Sequence, residues 1–295
     1  MISGLDMIFF VILSNKNHEK EFTMKLKLFY ITNQLEVALA AEKEGVDRIW
    51  VDLEKIGKES RQKGDSVKSQ HEISDITMIK PNLTTAEMLV RVNPWNDGLE
   101  DEIEKVINAG ADIIMLPYWK TVKEVEQFLT IVDRRVKTTL LLETKEAVEC
   151  IDEVLKLDFD EIHIGLNDLH LSYGLDFMFE LLANGTVEML CNKFKEKGIP
   201  YGFGGIAKLG AGMLQAEKII MEHYRLGSTR AILSRAFCDC SKIDSITEIE
   251  TCFSTNMKLL RDYEKSMQNV TEKEFEENRK EVICCVDNIV KKIRG

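Results

Sequence analysis

Residues 109–143 read AGADIIMLPYWKTVKEVEQFLTIVDRRVKTTLLLE. Two short apolar runs, Asp112–Pro117 and Thr138–Glu143, enclose an amphipathic segment. The runs are continuous rather than alternating, as expected of strands that are buried on both faces of a parallel sheet. Thr121 and Glu124 form a capping-box pattern, which predicts that a helix starts between the runs. This stretch therefore predicts one strand–helix–strand unit.

The same unit recurs along the chain on both sides of this stretch. Glycines such as Gly110 and Gly227 follow the helical segments, where a left-handed residue ends a helix. Eight strand–helix units imply right-handed crossovers and a closed (β/α)8 TIM barrel. An open doubly wound sheet is the alternative, but no G-x-G-x-x-G follows the first strand. The eight predicted strands are Leu26–Ile31, Arg48–Asp52, Met88–Asn93, Asp112–Pro117, Thr138–Glu143, Glu161–Asn167, Pro200–Gly204 and Thr229–Arg235.

We divide the chain into residues 1–23, an N-terminal extension; 24–240, the barrel; and 241–295, extra C-terminal helices that pack on the barrel or on a neighbouring subunit. Thr271 and Glu274 repeat the capping-box pattern in the last of these. The apolar run Met7–Leu13 has no basic segment before it and no small-residue cleavage site after it, and it is too short to span a bilayer. The sequence predicts no membrane segment.

Composition narrows the classes of partner. The chain has 295 residues, of which 39 are basic and 50 acidic, for a formal charge of -11. An acidic surface does not favour nucleic acid or an anionic membrane as a partner. The seven cysteines are odd in number and form no C-x-x-C pair, so we expect no disulfide framework or zinc site, and a cytoplasmic location.

Polar residues at the predicted strand ends are the candidates for catalysis, because barrel active sites lie at the C-terminal face. Arg91 is informative, since a guanidinium in a buried strand needs an anion. Either it forms an internal ion pair with Asp52 or Glu54, or it holds a substrate carboxylate or steadies an enolate oxygen. The strand-end candidates are Asp52, Glu54, Lys55, Arg91, Glu143, Asn167, Asp168, Ser234 and Arg235.

Glu143 and Asp168 close the adjacent predicted strands five and six. Neighbouring strands are about 4.8 Å apart, so both carboxylates can reach one ion. Two carboxylates, waters and substrate oxygens form a site suited to Mg²⁺ or Mn²⁺. The alternative is that the two acids cap the helices that follow.

Other charged and titratable residues have weaker patterns. The loop after strand two carries Arg61 and several lysines, which either form a solvated surface or attract an anionic substrate. No histidine pair has metal-ligand spacing. His163 alternates with apolar residues in strand six and is predicted to lie in the core or the barrel wall. His170 follows Asp168 closely enough to reach the site, but it is predicted to face solvent from a helix.

Four motifs occur in order on the predicted elements: Val90-Arg-Val-Asn-Pro-Trp-Asn-Asp97, Ala109-Gly-Ala-Asp-Ile-Ile-Met-Leu-Pro117, Leu142-Glu-Thr-Lys-Glu-Ala-Val148 and Ile164-Gly-Leu-Asn-Asp-Leu169. Together they resemble the HpcH/HpaI aldolase and citrate lyase β-subunit superfamily, over roughly residues 26–240 by the spread of the motifs. Gly202–Ala207 and Glu222–Gly227 suggest an atypical subgroup.

The resemblance implies a divalent-metal-dependent carbon–carbon lyase or aldolase that acts on a small anionic 2-oxo acid such as pyruvate through a metal-stabilised enolate. Glu143 and Asp168 would bind Mg²⁺ or Mn²⁺, and Arg91 would stabilise the enolate. Backbone amides around Gly165–Asp168 would contact the substrate carboxylate. The residues assigned to substrate binding are Glu54, Gly165, Asn167, Arg61 and Arg235.

One position departs from the aldolases of this superfamily, which have an Asp-x-Glu-His element after strand two with a proton-transferring histidine. Here the element is Asp52-Leu-Glu-Lys55. Asp52 and Lys55 are therefore assigned to catalysis with Arg91. A lysine transfers protons only if burial or a nearby cation lowers its pKa. The alternative is that Lys55 points into the loop and pairs with Glu54.

Two other functions stay open at this point. One is a citrate-lyase-type or acyl-CoA lyase, and the other is a catalytically silent barrel that binds an anionic metabolite. Apolar positions near the C-terminus (Ile283, Val286, Ile289 and Val290) predict a homo-oligomer, because one barrel need not cover them.

Overall fold

The computed structural model describes residues 25–57 and 71–295. The predicted extension 1–23, and Arg61 with most of its loop, lie outside these residues. Eight parallel strands pair in sequence order, and the last pairs with the first, so the predicted closed barrel is confirmed. The strands are β1 (Lys27–Ile31), β2 (Arg48–Asp52), β3 (Glu87–Arg91), β4 (Ile113–Leu116), β5 (Lys137–Leu142), β6 (Glu161–Ile164), β7 (Tyr201–Ile206) and β8 (Arg230–Leu233).

Helices cover the outside of the barrel. Val37, Ile103, Phe128 and Phe194 are among the buried side chains that helices contribute to the core around the sheet. In the described residues the α-helices are α1 (Leu35–Lys43), α2 (Ile73–Ile79), α3 (Leu99–Ala109), α4 (Val122–Val132), α5 (Lys145–Glu149), α6 (Ile151–Val154), α7 (Leu166–Ser172), α8 (Glu180–Ala183), α9 (Thr186–Lys197), α10 (Ala216–Leu226), α11 (Ile246–Ser266) and α12 (Glu272–Arg294).

Local signals end and start these helices as the sequence predicts. Thr121 accepts a hydrogen bond from the Glu124 amide, and the Glu124 side chain bonds back to Thr121, which completes the capping box of α4. Gly110 ends α3 with a φ of 105°, a left-handed conformation that costs glycine nothing. These caps fix the points at which the chain turns back into the sheet.

The predicted end of strand six is wrong. β6 stops at Ile164, and Gly165 leads directly into α7, so Asn167 and Asp168 lie in the first turn of a helix. Leu166 and Leu169 are buried from that helix. Leu166, which the sequence assigned to an extended strand, is therefore buried from a helix instead.

The barrel interior has a charged floor at the N-terminal ends of the strands. Arg48 is fully buried and forms a bidentate pair with Glu161 at 2.5 and 2.8 Å, while its Nε donates to Glu87 at 2.9 Å. Arg230 lies 2.7 Å from Glu161, and Lys137 binds Glu87 at 2.5 Å. An apolar layer of Phe29, Trp50, Leu89, Ile113, Met115 and Leu141 fills the barrel above this floor.

The C-terminal helices pack on the barrel of their own chain. The Leu26 amide donates to Glu264 of α11 at 2.9 Å, and α12 contacts α8 and α10. Val286 and Val290 of α12 are buried within the chain. These two valines therefore give no reason for oligomer formation, and that part of the argument for it is wrong. Within the described residues, no helix combines the length and the apolar character needed to cross a membrane.

Candidate active site

Strand register brings Asp52 and Arg91 side by side at the C-terminal end of the barrel. They are the last residues of β2 and β3 and are paired across the two strands. Both are buried. Because the side chains of a strand alternate between its faces, Asp52 and Arg91 share the barrel interior with Trp50 below them. The Arg91 guanidinium lies 5.1 Å from the centre of the Trp50 ring.

Two roles were predicted for Arg91, and the structure shows the first of them, an internal ion pair. Its Nε and Nη2 each donate to Asp52 at 2.8 Å, and its Nη1 lies 3.3 Å from Glu54. Burial opposes the charged form of Arg91, but the charges of Asp52, Glu54 and then Glu143 raise the pKa of Arg91 above its ordinary value. The guanidinium is therefore permanently charged, and its plane is fixed by a bidentate carboxylate.

Glu143 follows β5 directly and is 2% exposed. Its Oε1 accepts a hydrogen bond from the Tyr118 amide at 3.0 Å. Tyr118 follows β4 with a φ of 50°, a conformation that is costly for a residue with a side chain and that recurs at functional sites. Thr144, not Glu143, caps α5, by accepting from the Ala147 amide at 3.1 Å. The capping alternative for Glu143 is therefore wrong.

Gly165 packs against the Glu143 carboxylate. A Cβ at position 165 would lie 2.8 Å from Glu143 Oε2 and 2.9 Å from Glu143 Cβ, distances that real Cβ atoms do not tolerate. Gly165 is the residue before α7, and buried Asp168 lies three residues later in the first turn of that helix. The fold thus brings Gly165, the residue that precedes α7, to the Glu143 carboxylate, and a metal site shared by Glu143 and Asp168 stays a prediction.

The donor set at this position fits a divalent cation. Glu143 and Asp168 supply the hard oxygen ligands that Mg²⁺ and Mn²⁺ prefer. In the parts of the chain that the structure describes, no group of three or more His, Cys, Asp or Glu side chains is arranged to hold a metal. Mg²⁺ is commonly bound by one or two carboxylates and keeps several waters, so a two-carboxylate site matches its preference.

Lys55 is exposed and lies beside the cluster rather than in it. Its backbone amide donates to Asn93 Oδ1 at 2.8 Å, and its charge acts on Glu102 of α3. Burial raises the pKa of Glu102, which the Asn93 side chain and Lys55 partly offset. Glu54, the predicted loop partner of Lys55, instead faces Arg91. This exposed position favours the non-catalytic reading of Lys55, and its catalytic role stays a prediction.

The remaining predicted site residues occupy different positions. Glu54 is buried on Arg91, and Gly165 touches Glu143. Asn167 and Arg235 are exposed, on α7 and after β8. Backbone hydrogen bonds join the loops after β7 and β8, since the Lys208 amide donates to the Ala236 carbonyl at 3.4 Å.

Two residues at this face had no predicted role. The Tyr118 amide holds Glu143, and His71 is buried with its Nδ1 accepting from the Asp52 amide at 2.9 Å. That bond places the proton of neutral His71 on Nε2. His71 lies 19 residues from Asp52 along the chain, so the contact could not be predicted from the spacing of nearby residues.

The two histidines with predicted locations had different outcomes. His163 is fully buried in the barrel, where Nε2 lies 3.1 Å from the Gly204 carbonyl oxygen, as predicted. His170 was predicted to face solvent, and this is wrong. It is buried, with Nδ1 3.2 Å from the Leu166 carbonyl oxygen.

Two cavities lie on opposite faces of the barrel. One of about 510 Å³ opens beside Lys55 and is lined by Leu53, His71, Asn93 and Glu102, among others. The other, of about 720 Å³, is lined by residues at the N-terminal ends of β3 to β5, including Glu87, Asp112 and Lys137. Of these two cavities, the one beside Lys55 is on the same side of the barrel as Arg91 and Glu143. This is the C-terminal face, where barrel enzymes carry out catalysis.

Comparison with known proteins supports this view of the fold. Residues 25–178 match the family model for HpcH/HpaI aldolase/citrate lyase. A HpcH/HpaI aldolase/citrate lyase family protein from Burkholderia cenocepacia J2315 superposes with a TM-score of 0.54 at 12% identity, covering 77% of this chain and 95% of that chain. The citrate synthase SbnG superposes with a TM-score of 0.53 at 15% identity, and the match covers 81% of this chain and 94% of that chain.

A ligand-free tryptophan synthase from M. tuberculosis gives a TM-score of 0.57 at 12% identity, covering 81% of this chain and 94% of that chain. Because enzymes of different activity superpose equally well, these structures show the barrel fold alone. No curated protein matches the sequence significantly.

Proposed function

The chain belongs to the HpcH/HpaI aldolase/citrate lyase family, and from that premise we propose that it is a divalent-metal-dependent lyase acting on a 2-oxo acid. Membership of the family implies a lyase-type reaction that cleaves a carbon–carbon bond. The finer proposal is that the bond lies next to the carbonyl of a pyruvate-like unit.

The observation that carries the proposal is the buried carboxylate of Glu143, held against Gly165 at the C-terminal end of the barrel. Its Oε1 is fixed by the Tyr118 amide, and its Oε2 faces a position where no Cβ is tolerated. An acid that served only to cap a helix or to pair with a surface lysine would need neither the strained Tyr118 backbone nor the bare glycine. These contacts support the proposal that Glu143 is one metal ligand, with Asp168 as the second.

A divalent cation held by Glu143 and Asp168 would supply Lewis acidity that lowers the cost of negative charge on the substrate oxygen. The remaining chemistry falls to the side chains. When a carbon–carbon bond next to a carbonyl breaks, its electron pair stays on the carbon and delocalises to the carbonyl oxygen.

Arg91 is the side chain that we assign to that developing charge, because it is a buried cation at the C-terminal end of the barrel. A guanidinium carries five N–H donors, and Asp52 and Glu54 engage one on each nitrogen of Arg91. The remaining donors on Nη1 and Nη2 can bind the oxygen that becomes an oxyanion. Asp52 and Glu54 are therefore positioning residues that fix the guanidinium plane, so that no reorganisation is needed as the charge develops.

We assign binding of the substrate carboxylate to the backbone amides at the start of α7, and we keep Asn167, Arg235 and Arg61 as proposed substrate-binding residues. The start of α7 is near Glu143, so a carboxylate there would lie next to the cation ligands. The amide donors of a first helical turn have no partners within the helix, which suits them to an anion.

The experiment measures exchange of the methyl protons of pyruvate in D₂O with Mn²⁺ present, which isolates enolisation from the unknown acceptor. Glu143→Gln and Asp168→Asn should each lose Mn²⁺ binding in calorimetry and reduce exchange by ~10²-fold or more. Glu104→Gln is the control, because Glu104 pairs with Arg135 on the exposed side of α3. Wild-type Mn²⁺ binding by the Glu143→Gln, Asp168→Asn double variant would refute the metal assignment. Normal Mn²⁺ binding without pyruvate exchange in the unaltered protein would refute the pyruvate-like substrate.

We also propose that the protein is a homo-oligomer that takes a small anionic substrate. Ile283 and Ile289 of α12 remain partly exposed, which leaves them for a neighbouring subunit. Light scattering at micromolar concentration checks the oligomer, and a monomer alone would contradict it.

A further inference from the structure

Three cysteines meet just beyond β8. Cys238 and Cys240 lie in the segment that follows the strand, and Cys252 lies on α11. We call these three the thiol cluster. Cys238 is buried, whereas Cys240 and Cys252 are partly exposed, and all three are free thiols.

The sulfur atoms of the thiol cluster are within contact distance. Cys238 Sγ lies 3.8 Å from Cys240 Sγ. Asn256 donates to Cys252 Sγ at 3.4 Å and to the Phe237 carbonyl at 2.7 Å, which ties α11 to the same segment. The cluster is therefore a packed group rather than a chance spacing of two residues in sequence.

Tyr30 of β1 completes the surroundings of Cys240. Its hydroxyl lies 3.1 Å from Cys240 Sγ and donates to the Cys238 carbonyl at 2.9 Å. The Tyr30 ring packs edge-on against Phe253, with centroids 4.9 Å apart, so the hydroxyl is held in place. Because Tyr30 has a single O–H, its proton can turn from the Cys238 carbonyl to Cys240 Sγ once a thiolate forms there.

These contacts make the two neighbouring thiols unequal. The contact between the Cys238 and Cys240 thiols, together with the Tyr30 hydroxyl, lowers the pKa of Cys240 to about 7 despite burial. The same contact and burial raise the pKa of Cys238. Since the thiolate is the nucleophile, the partly exposed Cys240 is the sulfur that reacts first.

We propose that the thiol cluster is a peroxide-reactive modification site, in which Cys240 is oxidised and Cys238 then closes a disulfide with it. The proposal is independent of the proposed lyase function, because it concerns thiols outside the Arg91–Glu143 site. The reagent is a hydroperoxide, with hydrogen peroxide as the simplest member.

The chemistry balances in two steps. The Cys240 thiolate attacks one oxygen of hydrogen peroxide and the O–O bond breaks, which leaves a sulfenic acid and hydroxide. The Cys238 sulfur then attacks the sulfenic sulfur, the S–O bond breaks, and water leaves. In sum, two thiols lose two protons and two electrons, and one peroxide becomes two waters. The sulfurs need only approach from 3.8 Å to the disulfide length of about 2.0 Å.

Tryptic peptides separate the possible products. Cleavage after Arg235 and Lys242 places Cys238 and Cys240 together in peptide 236–242, and cleavage after Lys258 places Cys252 in peptide 243–258. The fully reduced full-length protein is treated with limiting hydrogen peroxide, alkylated and digested without reductant. The expected product is peptide 236–242 lighter by two hydrogen atoms and not alkylated.

Cys150 is the control within the same chain. It is also partly exposed, its thiol donates to the carbonyl oxygens of Lys120 and Ala147, and burial raises its pKa. We expect the cluster to oxidise ~5-fold or more faster than Cys150 at pH 7. Oxidation of Cys150 before peptide 236–242 would overturn the proposal. A cross-link between peptides 236–242 and 243–258 would overturn Cys238 as the partner.

Two variants separate the roles. Cys240→Ser, at a partly exposed position, should yield no disulfide in peptide 236–242, while Cys238→Ala should leave a sulfenic acid at Cys240 that dimedone traps. Tyr30→Phe should slow the first step ~3-fold at pH 7, because the thiolate loses a donor. An unchanged rate in Tyr30→Phe would overturn the part assigned to the hydroxyl.

Discussion

Replacing Gly165 by alanine is the sharpest perturbation of the candidate site. The φ of Gly165 is -82°, which alanine adopts without strain, so the change acts only through the added methyl group. That methyl carbon would lie 2.8 Å from Glu143 Oε2, 2.9 Å from Glu143 Cβ and 3.3 Å from Leu141 Cδ1. A normal separation is about 3.5–4.0 Å, so the Glu143 side chain must move by roughly 0.7 Å or more.

The size of two effects can be compared. Extra volume in a packed site costs about 1–3 kcal/mol of folding stability. Moving a catalytic group by ~1 Å costs about 10²-fold in rate. Glu143 cannot shift freely, because its Oε1 accepts from the Tyr118 amide. We therefore expect Gly165→Ala to fold, with a lowered unfolding temperature, and to lose Mn²⁺ affinity and pyruvate proton exchange by ~10²-fold.

Gly98→Ala is the matched control for this variant. Gly98 also precedes a helix at negative φ, and a Cβ there would meet only the Asn96 side chain, at 3.2 Å on the exposed surface. Calorimetry with Mn²⁺, methyl-proton exchange and thermal unfolding are measured on both variants. If folded Gly165→Ala bound Mn²⁺ with wild-type affinity, the contact between Gly165 and Glu143 would have no part in a metal site, and the reasoning would be refuted.

Three further predictions follow from the ion pairs and the neighbouring groups. Asp52→Asn removes the charged half of the bidentate clamp on Arg91 and should reduce exchange by ~10-fold or more with Mn²⁺ binding unchanged; loss of Mn²⁺ binding would contradict a positioning role. Lys55→Met should leave exchange near the wild-type value, whereas a fall of ~10²-fold would establish the lysine as the acid/base; His71→Asn in the same assay tests the buried histidine beside Asp52. Burial raises the pKa of Glu87, but its two cationic partners lower it to about 2 from an ordinary 4.5. The stability that Glu87 contributes is therefore complete above pH 4.5 and lost as the pH falls towards 2, so in Glu87→Gln the urea midpoint should fall less over this range; an equal fall would contradict the linkage.

The strand pattern was predictable because burial on both faces leaves a continuous apolar run that sequence alone displays. The error at strand six has the same origin. The apolar residues Ile164 and Leu166 flank Gly165, so the run continues across a point where the backbone leaves the sheet. The pattern does contain a signal for the helix: Leu166, Leu169 and His170 have the spacing of one helical face, and all three are buried. That spacing also accounts for the burial of His170.

For the candidate site, the sequence predicted only those residues that lie at the ends of strands. Parallel strands place their last residues at one face, which brought Arg91 and Glu143 together from sequence alone. The contacts that hold these two residues in place were not predictable. Tyr118 has a left-handed backbone conformation that its residue type does not predict. His71 reaches Asp52 only because a loop brings together residues that are 19 positions apart. The thiol cluster was equally unpredictable from sequence, because Cys252 and Tyr30 reach Cys238 and Cys240 through tertiary packing.

The two ends of the barrel interior use the same residue types for different purposes. At the floor, Arg48 and Glu161 are directed at each other beneath the apolar layer, an arrangement that can only support the fold. At the opposite end, Arg91 is held just as firmly by Asp52, so its burial and ion pairing alone do not distinguish a catalytic arginine from a structural one. What distinguishes the C-terminal end from the floor is Glu143, a carboxylate that does not bind Arg91 directly. Glu143 is fixed by a backbone amide and a bare glycine, and its charge still reaches the guanidinium. A carboxylate fixed in this way, at the face where barrels carry out catalysis, supports the proposal that Glu143 binds a cation. Among the residues that the structure describes, no carboxylate at the floor is held by both a backbone amide and a glycine.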